Sequence, residues 1–435
     1  MKKGNPKALL PIIVFLVLYL GLGILFEYVM KVPMGFYNVP IVVMFMIALL
    51  VACMQAKGKT FEQKLEIMAK GVGNPDILTM ILIFLCAGIF VGVVGRSSAE
   101  SVAYFVLSLI PAQFSAAILF VISCIVSISM GTSVGTITLI MPIALAVSNA
   151  SGFALPLCAA SVVGGSMFGD NLSFISDCSI AACNGQGVKM KDKFRHNIPK
   201  AVPAAILTFI IVLVSSIRTY QGGSVSGDYN LIQIVPYLLV LIGGVAGVNV
   251  FIVLMIGIVS GSLIMLLTGT TTFMNLMVSM GVGAANMFET IMVAVLVSAV
   301  CAMIREEGGF DALLSWIKSA FKGRRGGLLG MGLLVGTMDI ATANNTVAIV
   351  MASPIARAMR EEYGISGEKV ASIMDTFACI FQGMLPYGAQ MLVAISVATT
   401  SGVALSAFDV ISHLYYPFCL LGVSLITIAL EPNHQ

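Results

Sequence analysis

Charge is what this chain has least of. Asp, Glu, Lys and Arg make up 10% of its 435 residues while 59% are hydrophobic, against about 25% charged and 45 to 50% apolar in soluble domains. That balance excludes a soluble globular protein and a disordered one, and it places the chain among polytopic membrane proteins. Histidine is scarcer still, at three residues (His196, His413 and His434), which leaves little for imidazole catalysis or metal binding. The nine cysteines show no C-x-x-C spacing and lie in or beside apolar runs. They read as small core residues, with neither disulfides nor a zinc site indicated. The net charge of +3 is spread over loops between spans, so nucleic acid is not an expected partner. The basic start, Met1 to Lys7, precedes an apolar run from Ala8 to Phe26 with no A-x-A site, and is read as leading into a first helix, not a removed signal.

The chain divides into apolar runs that predict spans near 8–28, 39–56 and 76–95, followed by a short interfacial helix near 97–110. Two apolar arms follow, 113–130 and 137–148, joined by MGTSVGT. The second arm is too short to cross a core about 30 Å thick, so a re-entrant hairpin is expected. Next come a broken segment over 153–183, a basic loop from Lys189 to Lys200, a span near 201–217 and a polar linker over 220–230. The pattern then recurs: spans near 231–247, 249–267 and 287–304, an amphipathic helix over 310–321, a hairpin over 327–360, an interrupted segment over 368–400, and a last span near 407–430. The expected fold is an all-α membrane protein of two inverted repeats, 1–219 and 231–435. Each holds about five transmembrane helices, a re-entrant hairpin and a broken helix.

Residues 57–73, KGKTFEQKLEIMAKGVG, align with 267–283, LTGTTTFMNLMVSMGVG, at an offset of 210, while the hairpins align at 212. At 212, Pro142 meets Pro354, Thr132 and Ser133 meet Asn344 and Asn345, and Asp170 meets Gln382. Five full crossings per half, an odd number, would invert the second half. With the N-terminus and C-terminus cytoplasmic, only Lys31, Arg96 and Arg218 of the 23 Lys and Arg residues fall outside, as the positive-inside rule expects.

The most informative stretch is GGSMFGDNLSFISDCS, residues 164–179, where an apolar segment carries two aspartates, an asparagine, serines and glycines. A carboxylate at bilayer depth costs roughly 2.5 to 3.5 kcal/mol even on the cheaper scales, so a broken helix around a cation site is expected. The first half supplies Thr132, Ser133, Thr136, Asp170, Asn171, Ser173, Ser176 and Asp177. The second supplies Thr342, Asn344, Asn345, Thr346, Asp375, Gln382, Tyr387 and Gln390, with Asp339 a further candidate. These are hard oxygen ligands suited to sodium, placed at Asp170 and Asp177, and the same carboxylates can take protons instead. Glu289 and the Asp409/His413 pair are weaker candidates for a proton relay. Gly131-Thr132-Ser133-Val134-Gly135 also fits G-x-S-x-G, so an intramembrane serine hydrolase with His413 as base is a rival reading, and a passive channel another.

On these residues the chain resembles the NhaC-type sodium/proton antiporters, within the ion transporter superfamily. GTSVGT, the FGD-x-x-S-x-ISD core and the following basic stretch stand in that family's order. The resemblance implies secondary active transport of sodium against protons across the cytoplasmic membrane, with cation-binding roles for Asp170, Ser173, Ser176 and Asp177. Members commonly carry proline at the position of Phe174, threonine at Cys178 and often histidine at Asn171. Because relatives also exchange organic anions or amino acids, coupled transport of a small organic solute is the alternative. Expected partners are lipid, sodium and protons, with an organic substrate and a homodimer left open, and no cofactor beyond the transported ions.

Overall fold

The computed structural model describes residues 4–32, 38–109, 111–174, 176–220, 229–246 and 248–432. Among them there is no strand. The first half runs through α1 (Leu10–Ile24), α2 (Ile41–Gln55), α3 (Phe61–Val72), α4 (Pro75–Leu109), α5 (Ser115–Met130), α6 (Ser133–Ser151), α7 (Leu155–Leu172), α8 (Asp177–Gln186) and α9 (Met190–Thr219). The second runs through α10 (Leu231–Val245), α11 (Val250–Leu267), α12 (Phe273–Ala285), α13 (Phe288–Glu306), α14 (Gly309–Ala320), α15 (Gly323–Thr342), α16 (Asn345–Glu362), α17 (Gly367–Met384), α18 (Ala389–Thr400), α19 (Ala407–Ser412) and α20 (Tyr415–Ala429). Eight helical stretches among the described residues are long and apolar enough to cross a membrane. Most of the expected linker, 221–228, and the side chain of Arg96 lie outside the described residues.

The element order recurs in one register. Helices α12, α16, α17 and α18 each begin 212 residues after α3, α6, α7 and α8 respectively. The amphipathic pair therefore shares the hairpins' offset, and the offset of 210 read from the matching Gly-Val-Gly is corrected. The caps explain why. Thr60 and Thr272 each accept the backbone N–H three residues on, from Gln63 and Asn275, so the threonines fix where each helix starts. The hairpin tips match as closely. Gly131 and Ala343 are both left-handed, at φ 70° and 48°, and Thr132 and Asn344 both sit at φ −148° and cap the next helix through their side chains.

Four expectations change. The helix expected near 97–110 is continuous with the preceding span, since α4 runs unbroken to Leu109 and Pro111 is the first residue that forbids continuation. The second arm of the first hairpin begins at Ser133, where Thr132 caps it, and is 19 residues long with Pro142 inside it. Shortness is therefore no argument for re-entrance, as both arms reach spanning length. The basic loop is no loop: α9 starts at Met190 and carries Pro199 and Pro203 within it, a tolerance found in membrane helices. The last span is divided at His413 and Leu414 into α19 and α20.

Packing depends on backbones that approach closely. A Cβ on Gly165 would stand 2.4 Å from the Phe120 carbonyl oxygen, and one on Gly169 2.3 Å from Ser127 Cβ, so α7 lies directly on α5. Gly88 and Gly92 let α4 meet α12 in the same way, 2.2 Å from the Gly283 carbonyl and 2.3 Å from that of Ser279. On the outside, α9 exposes Ile206, Leu207, Ile210, Val214 and Ile217, an apolar stripe suited to lipid.

Candidate functional site

Helix α7 unwinds at Ser173, whose ψ is 140°, and α8 restarts after Ser176. The break is held by its own hydroxyls. Ser173 Oγ donates to the Ile128 carbonyl of α5 at 2.7 Å, and Ser176 Oγ donates to Asp170 Oδ1 at 2.6 Å. Asp170 is only 4% exposed. Its other oxygen, Oδ2, accepts from Ser133 Oγ at 2.9 Å and from Asn345 Nδ2 at 3.4 Å. One carboxylate thus gathers the α7–α8 break and both hairpin tips.

The α17–α18 break joins from the opposite side. Gln382 Nε2 donates to the Ala343 carbonyl at 3.2 Å and to Gln390 Oε1 at 2.6 Å, and Gln390 Nε2 donates to Ser133 Oγ at 3.0 Å. A directed chain of hydrogen bonds therefore leads from Gln382 through Gln390 and Ser133 to Asp170. Gln382 stands 212 residues after Asp170, so the two breaks place a carboxylate and an amide in equivalent positions. The left-handed Ala343 at the tip is a conformation that costs of order 1 kcal/mol or more for a residue with a Cβ. It delivers its carbonyl to Gln382.

The other expected residues divide by role. Thr132 and Asn344 are occupied as caps, Thr136 Oγ1 donates to the Thr132 carbonyl, and Thr342 Oγ1 donates to the Asn344 carbonyl. Thr346 Oγ1 lies 3.3 Å from Cys178 Sγ. Asp177 is exposed in the first turn of α8, where a carboxylate favours the helix dipole. Asp339 is fully buried in α15, and its carboxyl oxygens have no hydrogen-bond partner among the described residues. Tyr387 donates to the Ile340 carbonyl at 2.7 Å. His413 Nδ1 lies 3.0 Å from the Asp409 carbonyl in its own helix end, and Ser133 has Asp170 and Gln390, not a histidine, as its partners. A cavity of about 340 Å³ lies elsewhere, lined by Pro142, Asn149, Tyr237 and Ser401 among others.

Sequence reasoning missed a buried cation. Lys193 and Asp375, 1% and 0% exposed, form an ion pair between α9 and α17. Asn197 Nδ2 donates to Asn171 Oδ1 at 2.6 Å and to Asp375 Oδ2 at 3.1 Å, and Lys200, also buried, donates to Ser372 Oγ. The signal was present as spacing: Lys193, Asn197 and Lys200 share one face of a helix at i, i+4 and i+7.

The family model described as Na+/H+ antiporter family matches residues 9–217 and 228–430. Among relatives, the malate-2H(+)/Na(+)-lactate antiporter of Bacillus subtilis is 27% identical over 52% of this chain and 47% of its own length. The Na(+)/H(+) antiporter NhaC of the same organism is 29% identical over 34% of this chain and 32% of its own. The match thus spans about half the length of these curated relatives or less. The solved YdaH transporter of Alcanivorax borkumensis aligns over 89% of this chain and 97% of that one, at 14% identity and a TM-score of 0.44. On the family match, which covers nearly the whole sequence, this chain belongs to the Na+/H+ antiporter family.

Proposed function

We propose that this protein exchanges sodium for protons across the cell membrane at Asp170. The observation that carries the proposal is the carboxylate itself, buried between two hairpin tips and two helix breaks. Its donors are a pair of hydroxyls and one amide. A serine hydroxyl can donate to the empty carboxylate and, by turning, offer its lone pairs to a bound cation. No lysine or arginine pairs with Asp170 among the described residues, so its charge is free to attract a mobile ion. A proton on the carboxyl removes that charge, and sodium and proton then exclude each other by reciprocal linkage. The recurrent register of the two halves, with two tips meeting at one carboxylate, supports the inverted-repeat arrangement expected of an alternating-access exchanger.

The test is reconstitution into liposomes with imposed sodium and proton gradients. External acid is expected to raise the apparent sodium half-saturation concentration competitively. Asp170→Asn, which keeps the shape and removes the titration, is expected to abolish sodium-driven proton movement. Retention of pH-competitive exchange in that variant would return Asp170 to a structural role.

A second reading is favoured by two observations: the malate and lactate named in one relative's activity, and the buried Lys200 ammonium, whose hydrogen bond goes to a neutral hydroxyl. An organic carboxylate would complement such a cation. Exchange that appears only when an organic acid is added to the liposomes would select this reading.

A further inference from the structure

The buried cluster around Lys193 has the makeup of a cation site with its occupant already in place. The Lys193 ammonium has three hydrogens, and they meet three oxygens of different kinds: the Asn171 carbonyl at 3.1 Å, Ser179 Oγ at 2.7 Å and Asp375 Oδ2. Carbonyl, hydroxyl and carboxylate oxygens are the hard donors an alkali cation takes in place of water. Asp375 Oδ1, also buried, has no hydrogen-bond partner among the described residues, so the cluster holds an acceptor beyond those the ammonium uses. Asn197 closes the far side by bonding both Asn171 and Asp375.

We propose that the Lys193 ammonium is a tethered cation filling a second cation site, formed by the Asn171 carbonyl, Ser179 Oγ and Asp375, and that this site takes a sodium ion when the lysine is removed. The reason is charge. Without Lys193, the Asp375 carboxylate is a buried anion that has lost the ammonium bonded to it, while Lys200, two turns along α9, is held by Ser372 Oγ, and such a state disfavours the folded chain until a cation enters. A sodium ion carries the same charge as the ammonium and meets the same oxygens. In the native chain the tether keeps this site closed to solution ions and limits the number of sodium ions bound. Because Asn171 follows Asp170 directly in α7, the tethered cation also holds the turn that carries the Asp170 carboxylate. The inference rests on a different set of atoms from the Asp170 site and stands or falls separately.

The experiment is equilibrium binding of radioactive sodium to purified protein, reported as ions per chain. The wild type is expected to bind one and Lys193→Ala two, with the added ion lost again in Lys193→Ala/Asp375→Asn. Asp170→Asn in the wild-type background reads the other site, so failure of the exchange proposal is visible without touching this one. Sodium should also raise the melting temperature of Lys193→Ala by more than it raises that of the wild type. A Lys193→Ala chain that folds only in sodium supports the proposal. It is overturned if the variant binds no more sodium than the wild type, if the extra ion survives Asp375→Asn, or if the variant cannot be recovered folded at any sodium concentration.

Discussion

Three side chains donate to the Asp170 carboxylate at different distances, which turns the site into a graded test. Ser176 Oγ lies at 2.6 Å, Ser133 Oγ at 2.9 Å and Asn345 Nδ2 at 3.4 Å. A hydrogen bond to a charged group contributes about 1.5 to 3 kcal/mol, and each 1.4 kcal/mol is about tenfold in an equilibrium constant. Removing either serine hydroxyl should therefore weaken apparent sodium affinity by about ten- to a hundredfold. The sign follows from what the donors favour. They stabilise the ionised carboxylate, so their loss shifts the group towards holding a proton, and the weakening should grow as the medium becomes more acid. Ser133→Ala has a second consequence, because it also strips Gln390 Nε2 of its acceptor. Asn345 sits at the edge of hydrogen-bond distance, so Asn345→Ala should cost about threefold or less. The assay is sodium-dependent proton movement in liposomes, read as half-saturation concentration at two pH values. An Asn345→Ala effect equal to that of the serines, or an unchanged affinity in Ser176→Ala, would refute the geometry as the source of affinity.

Three further outcomes are expected. Gly169→Ala forces a Cβ to 2.3 Å from Ser127 Cβ and 2.6 Å from the Ile128 nitrogen, so overpacking should destabilise the protein by about 1 to 3 kcal/mol, read as a lower melting temperature of purified protein. Gly422→Ala, which meets nothing within 4 Å and lies inside α20, where alanine is the better helix former, is the control and should not lower it. Partial burial alone would raise the Glu431 carboxyl, but hydrogen bonds and charge from Lys369 and Arg324 outweigh it and hold the group below its ordinary value. A depressed carboxyl contributes stability at neutral pH that is lost as pH falls through the folded value. Glu431→Gln should accordingly cost about 1 kcal/mol at pH 7 and nothing in strong acid, as read from chemical denaturation. With the N-terminus cytoplasmic, a cysteine at exposed Lys191 should label only after permeabilisation, and one at Ser151 from outside. Labelling of position 191 in intact cells would refute that orientation.

What could be read from the sequence was whatever a residue's immediate neighbours determine. Asp170 stood out because a carboxylate among glycines and apolar residues has no local explanation, and Ser133 and Asn345 followed from their place at hairpin tips. Thr132 and Asn344 looked the same from the sequence, yet their side chains cap helices while the residue after each reaches the carboxylate. One residue of rotation around a helix start separates those roles, and composition does not record rotation. Lys193 was hidden for a different reason. A basic residue between apolar runs reads as a cytoplasmic loop, and the carboxylate that neutralises it, Asp375, stands 182 positions away.

The sparse identity between the halves has a physical cause in the helix contacts. On α7, Gly165 and Gly169 are the small residues that admit α5. Their counterparts 212 positions later on α17 are Phe377 and Phe381, and these pack against Gly332 and Gly336 of α15 at 2.7 and 2.4 Å from the places their Cβ atoms would take. The counterparts of Gly332 and Gly336 on α5 are Phe120 and Cys124. Each half thus closes this helix pair at two glycines, which lie on the later helix in the first half and on the earlier helix in the second. An interface between two helices is specified by the sum of what both present, so the sum can be kept while every position in it changes. Residue-by-residue alignment sees four substitutions there, although glycines admit the neighbouring helix in both halves. For this reason the caps and tips, which act on the backbone directly, carry the register of the repeat, and the packed faces between them do not.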